Sequence, residues 1–158
     1  MPSSDPALSH TPNITLSAAE AALAACKAQS RQIGVPMNIA IVDTTLYLLA
    51  FSRMPGAKLT SIDIAINKAF TAAGHREGTH TYKDKATVSG APMVGVHNSN
   101  SGRFTTIGGG LPIKVDGVVV GAIGCSTGTP AQDQQVAQAG VDAVLELLGR
   151  ERKIEAKL

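Results

Sequence analysis

Tryptophan is absent from this sequence, and only five of its 158 residues are aromatic, three phenylalanines and two tyrosines. A module that reads nucleic acid by stacking bases needs an aromatic platform, and little is available here to build one. Charge of one sign is also missing: the formal net charge is +2, and the 14 lysines and arginines are scattered apart from Arg150, Arg152 and Lys153. No nucleic-acid partner is expected. Cysteine is scarce. Cys26 and Cys125 stand alone, with no CxxC or CxxH spacing, which excludes a disulfide framework and a thiolate zinc site. No apolar run approaches the ~18 residues of a membrane helix. The Ser- and Pro-rich start, Met1 to Pro12, lacks the apolar stretch of a secretory signal. A cytoplasmic protein with no membrane partner is the expectation.

What the chain does have is aliphatic. Apolar residues make up 44% of it, enough for a core of Ala, Val, Ile and Leu within one domain. The organisation expected is an N-terminal arm over 1–13, a single domain over 14–150 and a tail over 151–158.

Ordered structure is expected to begin at Ser17-Ala-Ala-Glu20, which has the pattern of a capping box, and the Ala-rich helix that follows should stop at Gly34. Asn38–Val42 and Leu46–Phe51 read as buried strands of a hairpin turning at Asp43-Thr44-Thr45. Thr60 should cap a second helix ending at Gly74, with Ile62, Ile66, Ala69, Phe70 and Ala73 as its buried stripe. Residues 75–100 are polar and glycine-spotted, a partly helical crossing segment and loop. Strand signals resume at Arg103–Thr106, and Leu111–Val115 and Val118–Ile123 flank Asp116-Gly117, a strong hairpin signal. A last helix opens at Thr129-Pro130-Ala131-Gln132, with Val136, Gly140, Ala143, Val144 and Leu147 as its apolar stripe. The fold class is therefore α+β, a five-stranded, mostly antiparallel sheet flanked by helices.

Four phrases occur in order along this frame: Asn38-Ile-Ala-Ile-Val-Asp43, Ser61-Ile-Asp-Ile-Ala-Ile-Asn-Lys68-Ala69, Gly109-Gly-Leu-Pro-Ile113, and Gly117-Val-Val-Val-Gly-Ala-Ile-Gly124 followed by Asp133. The chain resembles the GlcG/HbpS family over about residues 14–148. Members of that family are often labelled haem-binding or haem-degrading, and its domain is also found attached to corrinoid adenosyltransferases. The resemblance implies a homo-oligomer, dimeric or larger, with a ligand cleft near a subunit interface. It also marks departures. The first hairpin turn carries Thr44-Thr45 where the family usually has a glycine, the strand serine Ser126 is followed by Thr127-Gly128 where the family commonly has a glycine pair, and Cys125 stands where valine is usual. Some haem-binding relatives ligate iron through a histidine of the first helix, and this chain has no histidine between Ser17 and Gly34.

The candidate site residues come from several places. Ser61, Ala65, Lys68, Ala72 and His75 share one side of the second helix, where Lys68 would bind a carboxylate or act as acid or base. The same row also describes an ordinary solvated face, since lysine is usually exposed. His97-Asn98-Ser99-Asn100-Ser101-Gly102-Arg103 is a loop of donors in which Arg103 would clamp a carboxylate and His97 would shuttle a proton. Asn, Ser and Gly are equally what any turn uses. Gly108-Gly109-Gly110 lacks the GxxxxGK[ST] pattern and precedes a strand, so no nucleotide is expected, although the amides of Gly109 and Gly110 would be open to a ligand. Cys125-Ser126 precedes the last helix; Cys125 reads as a buried inert thiol rather than a nucleophile. His75 and His80 are five apart, which is not zinc-binding spacing, and no metal site is expected.

Two functions fit these residues. One is a small-molecule binder for haem or another anionic organic molecule, with Lys68 and Arg103 on its carboxylates and His75, His80 or His97 as the axial ligand. The other is a cofactor-independent isomerase, cyclase or lyase in which Lys68, His97 and Arg103 are catalytic. In both, Ser61, His75, His80, Asn98, Ser101, Gly109, Gly110 and Ser126 are candidate ligand contacts.

Overall fold

In the computed structural model, which describes residues 6–157, four strands form one antiparallel sheet in the order β2-β1-β4-β3. The strands are β1 (Asn38–Asp43), β2 (Leu48–Arg53), β3 (Gly110–Val115) and β4 (Val118–Ser126). The helices are α1 (Leu16–Ile33), α2 (Ser61–His75), the short α3 (Lys83–Thr87) and α4 (Pro130–Glu155). The crossing segment also carries 3-10 turns at Thr79–Tyr82, Val96–Asn98 and Asn100–Gly102.

Alternation along the strands sends neighbouring residues to opposite faces, and the two faces differ in bulk. Ile39, Ile41, Ile113, Ile123 and Cys125 pack with α1 and α4, whereas Ala40, Val42 and Ala122 pack with α2. The α2 side is thus a floor of small residues, and it selects an equally small helix face. Ser61, Ala65, Lys68, Ala69 and Ala72 are buried, while Ile62, Ile66 and Phe70 are only half-buried along the flank. The expected Ile62/Ile66/Phe70 core stripe is corrected accordingly. The row read as an open face is, apart from the exposed His75 at its end, the face pressed on the sheet.

The fifth strand is also corrected. Arg103–Thr106 is not a strand, because this segment is held by α2 instead of by the sheet. The Thr71 hydroxyl accepts from the Thr105 amide at 3.1 Å and lies 3.4 Å from the Arg103 carbonyl. β2 begins two residues later than expected because Leu46 takes a left-handed φ of 72° inside the turn. The cap of α1 is Thr15, whose side chain accepts from Ala18 N, rather than Ser17. Thr60 makes no side-chain capping bond, and α2 runs one residue past Gly74.

Other expectations hold. Gly34 ends α1 in the left-handed conformation, Asp116 and Gly117 make the hairpin at φ 51° and 80°, and Thr129 and Gln132 form a reciprocal capping box on α4. α4 continues to Glu155 through most of the segment expected as a tail. Residues 6–13 of the expected arm have no helix or strand, and residues 1–5 lie outside the described residues.

Candidate functional site

Lys68 is fully buried, so its ammonium needs a partner inside the protein. The partner is Asp133, on the first turn of α4: Nζ stands 2.6 Å from Oδ2 and also donates to the Cys125 carbonyl at 2.9 Å. The other carboxylate oxygen accepts from the Gly128 amide at 2.9 Å. This ion pair passes the end of the sheet and ties α2, on one face, to α4, on the other. Burial pushes the Asp133 carboxyl above the ordinary carboxylate range, opposed by the Lys68 charge and the Gly128 amide. Gly109 packs against the pair and Gly110 against the Lys68 carbonyl, so neither presents open amides. Thr79 closes this region by accepting from Gly110 N at 2.9 Å and donating to the Ile107 carbonyl at 2.7 Å. Ser61 and Ser126 are buried at the ends of α2 and β4. Cys125 is buried as well, and burial, then the neighbouring Cys26 thiol, push its own thiol well above the ordinary range. That is the inert condition.

Arg103 does not share a cleft with Lys68. Its guanidinium carbon lies 3.8 Å from the centroid of the Phe70 ring, and its Nε donates to Asn67 Oδ1 at 3.3 Å, on the flank of α2 rather than on its buried face. His75 lies at the end of that helix, edge-on to Tyr82 and Phe104 with ring centroids 5.2 and 5.1 Å away. A lobe of about 210 Å³ opens there, and a more polar surface cleft of about 740 Å³, carrying Arg76, Glu77 and Lys114, adjoins it at Leu46 and Gly74.

His80 lies elsewhere. A cleft of about 480 Å³ runs between the crossing segment and the start of α4, with Ile107, Gly108, Pro130 and Ala131 as apolar wall and His80, Lys83 and Gln134 as polar groups. The imidazole folds back over Gly78, where a Cβ would come within 2.5 Å of its Cε1. His97, Asn98 and Ser101 are exposed on the crossing segment and line none of these three clefts. The catalytic trio Lys68, His97 and Arg103 is therefore not assembled in one place. Among the described residues no cluster of His, Cys, Asp or Glu has the makings of a metal site.

Sequence reasoning missed Asp133 as the Lys68 partner and Phe70 as the Arg103 platform. The first had a signal: a lysine among alanines on a helix needs a carboxylate if that face is buried, and Asp133 ends the fourth family-like phrase.

Residues 14–142 match the family described as haem-degrading protein HbpS-like. An uncharacterized 15.0 kDa protein of the dhaT–dhaS intergenic region in Citrobacter freundii is 41% identical over 134 residues, 85% of this chain and 94% of that protein. Among solved structures, Klebsiella pneumoniae protein ORFY is 34% identical with a TM-score of 0.87, covering 90% of this chain and 97% of that one. The PduOC–haem complex is 30% identical with a TM-score of 0.79, covering 83% and 94%.

Proposed function

Since the chain belongs to the HbpS-like family of haem-degrading proteins, we propose that it binds haem, or a planar anionic molecule of similar size, in the cleft of His80. The observation that carries this is the cleft's make-up: one imidazole and one ammonium set against an apolar wall. Haem asks for an axial nitrogen, apolar contact for the macrocycle and cations for its propionates, and this donor set fits it. His80 would supply the nitrogen and Lys83 would meet a propionate, while Ile107, Pro130 and Ala131 would exclude water. Haem itself supplies the iron chemistry when bound. The volume of about 480 Å³ lies in the range of ligand sites, ~300–1,000 Å³, whereas the lobe at His75 falls below it. α1 contains no histidine, so the first-helix ligand of some relatives is not an option in this chain.

A haem titration followed at the Soret band tests this. Micromolar protein should shift the band. His80→Ala should weaken binding by ~tenfold or more, and His75→Ala and His97→Gln should leave it intact. Gly78→Ala, at φ −65°, suits the backbone but pushes the imidazole aside, and should impair binding without unfolding the chain. No shift in the parent, or an unchanged affinity in His80→Ala, overturns the assignment.

We also propose self-association, and the surfaces richest in small residues are not the ones free for it. The small-residue faces of α1 and α4 pack on each other, a Cβ at Gly140 falling 2.5 Å from Cys26 Sγ, and Gly108–Gly110 is buried within the chain. The edge strand β2, with Leu48 45% exposed beside Tyr47 at 77%, supports the reading instead. Light scattering should give a mass of at least twice the 16.2 kDa chain; a monomer at micromolar concentration sinks it.

A further inference from the structure

We infer that the lobe at the C-terminal end of α2 is a second binding site, for a planar carboxylate of single-ring size, independent of the His80 cleft. The distribution of aromatic residues comes first. The chain has five, and three of them, Phe70, Tyr82 and Phe104, gather with His75 around this one place. The two main core clusters do not use these three, and the one aromatic packed against them is the partly buried Phe51. Tyr82 and Phe104 do support a satellite cluster under the crossing segment, yet Phe70 is outside that cluster and half-buried. Phe70, Phe104 and Leu46 wall the lobe, with His75, Thr71 and Asn100 as its polar margin.

Size and charge then narrow the occupant. A lobe of about 210 Å³ suits one ring with a small substituent better than a porphyrin. Rings against aromatic walls gain from offset or edge contact, which favours a planar occupant. Arg103 does not itself line the lobe, but its guanidinium, stacked on the Phe70 ring, holds a permanent cation beside that wall. It has no acidic partner among the described residues, in contrast to Lys68, Lys114, Arg150 and Arg152. Its Nε is turned to Asn67, leaving the two terminal nitrogens, the pair that grips a carboxylate, without a carboxylate of the protein. The Thr71 hydroxyl is already engaged with Asn67 O and Thr105 N, so charge recognition falls to Arg103.

Benzoate is the probe, with benzamide as its uncharged counterpart and acetate as the anion without a ring. Titration of the isotope-labelled chain, followed by NMR, should give saturable benzoate shifts centred on His75, Phe104 and Asn100. Benzamide should bind about tenfold more weakly, and acetate should not compete. Arg103→Met should reduce benzoate affinity to that of benzamide while leaving the haem titration unchanged, so this site and the His80 cleft fail separately. The wild-type chain provides a check that needs no variant: salt should weaken benzoate and spare benzamide. Shifts that do not saturate, equal affinity for benzoate and benzamide, or competition by acetate would each overturn the inference.

Discussion

Lys68→Met is expected to destabilise the fold by ~3–5 kcal/mol at neutral pH, the cost of leaving one member of a buried ion pair without the other. Lys68 and Asp133 are both within 2% of full burial, and their 2.6 Å contact is not shared with solvent. Methionine keeps most of the stem's volume, so the effect is electrostatic rather than a cavity. The deficit should depend on pH in a defined direction. Burial already raises the Asp133 carboxyl, and without the lysine charge that opposes this the folded-state value rises further. A carboxyl whose folded value lies above its unfolded value, ~3.9, favours the folded state in acid and loses that contribution as pH rises through the folded value. Denaturant melts of the variant should therefore show a smaller deficit at about pH 5 than at about pH 7. The double variant Lys68→Met with Asp133→Leu should recover much of the loss, because it leaves no uncompensated buried charge. If Lys68→Met alone melts like the parent at neutral pH, the pair does not hold α2 and α4 together.

Gly124→Ala is expected to be the most damaging single-methyl change in the protein. Gly124 lies in β4 directly beneath α2, and a Cβ there would fall 2.0 Å from the Ala65 carbonyl oxygen and 2.5 Å from the Ala69 nitrogen. Both are backbone atoms, so no rotamer change relieves the overlap. Either α2 lifts from the sheet or the chain does not fold. Ordinary overpacking costs ~1–3 kcal/mol, and a rigid backbone contact should exceed that range. Lifting α2 would also pull Lys68 from Asp133, so the two lesions should not be additive. Gly117→Ala, at the hairpin turn with open space around its Cα, provides the comparison: strain from φ 80° but no collision. A Gly124→Ala chain that is expressed, folded and melts within a few degrees of the parent would contradict the packing described for α2.

Much of this was legible in the one-dimensional chain wherever the determinant is local. Asp116-Gly117 needs two left-handed residues and has them, Gly34 ends α1 for the same reason, and the Thr129–Gln132 box caps α4 through bonds three residues apart. The α+β class and the family likeness rest on such local patterns and on ordered phrases.

The candidate sites were less legible, because they depend on which face of α2 meets the sheet. Hydrophobicity alone pointed to Ile62, Ile66 and Phe70 as the buried stripe. A sheet face of Ala40, Ala122 and Gly124 instead admits only a helix face of alanines, and shape complementarity outweighed side-chain size. That rotation of α2 buried Lys68, which then required Asp133 from 65 residues away. The same rotation left Phe70 free to carry Arg103. Secondary structure here follows from short-range capping and turn chemistry that any stretch of the sequence contains in itself. The partition of charges and rings between core and clefts was decided only in three dimensions, by how closely two backbones approach.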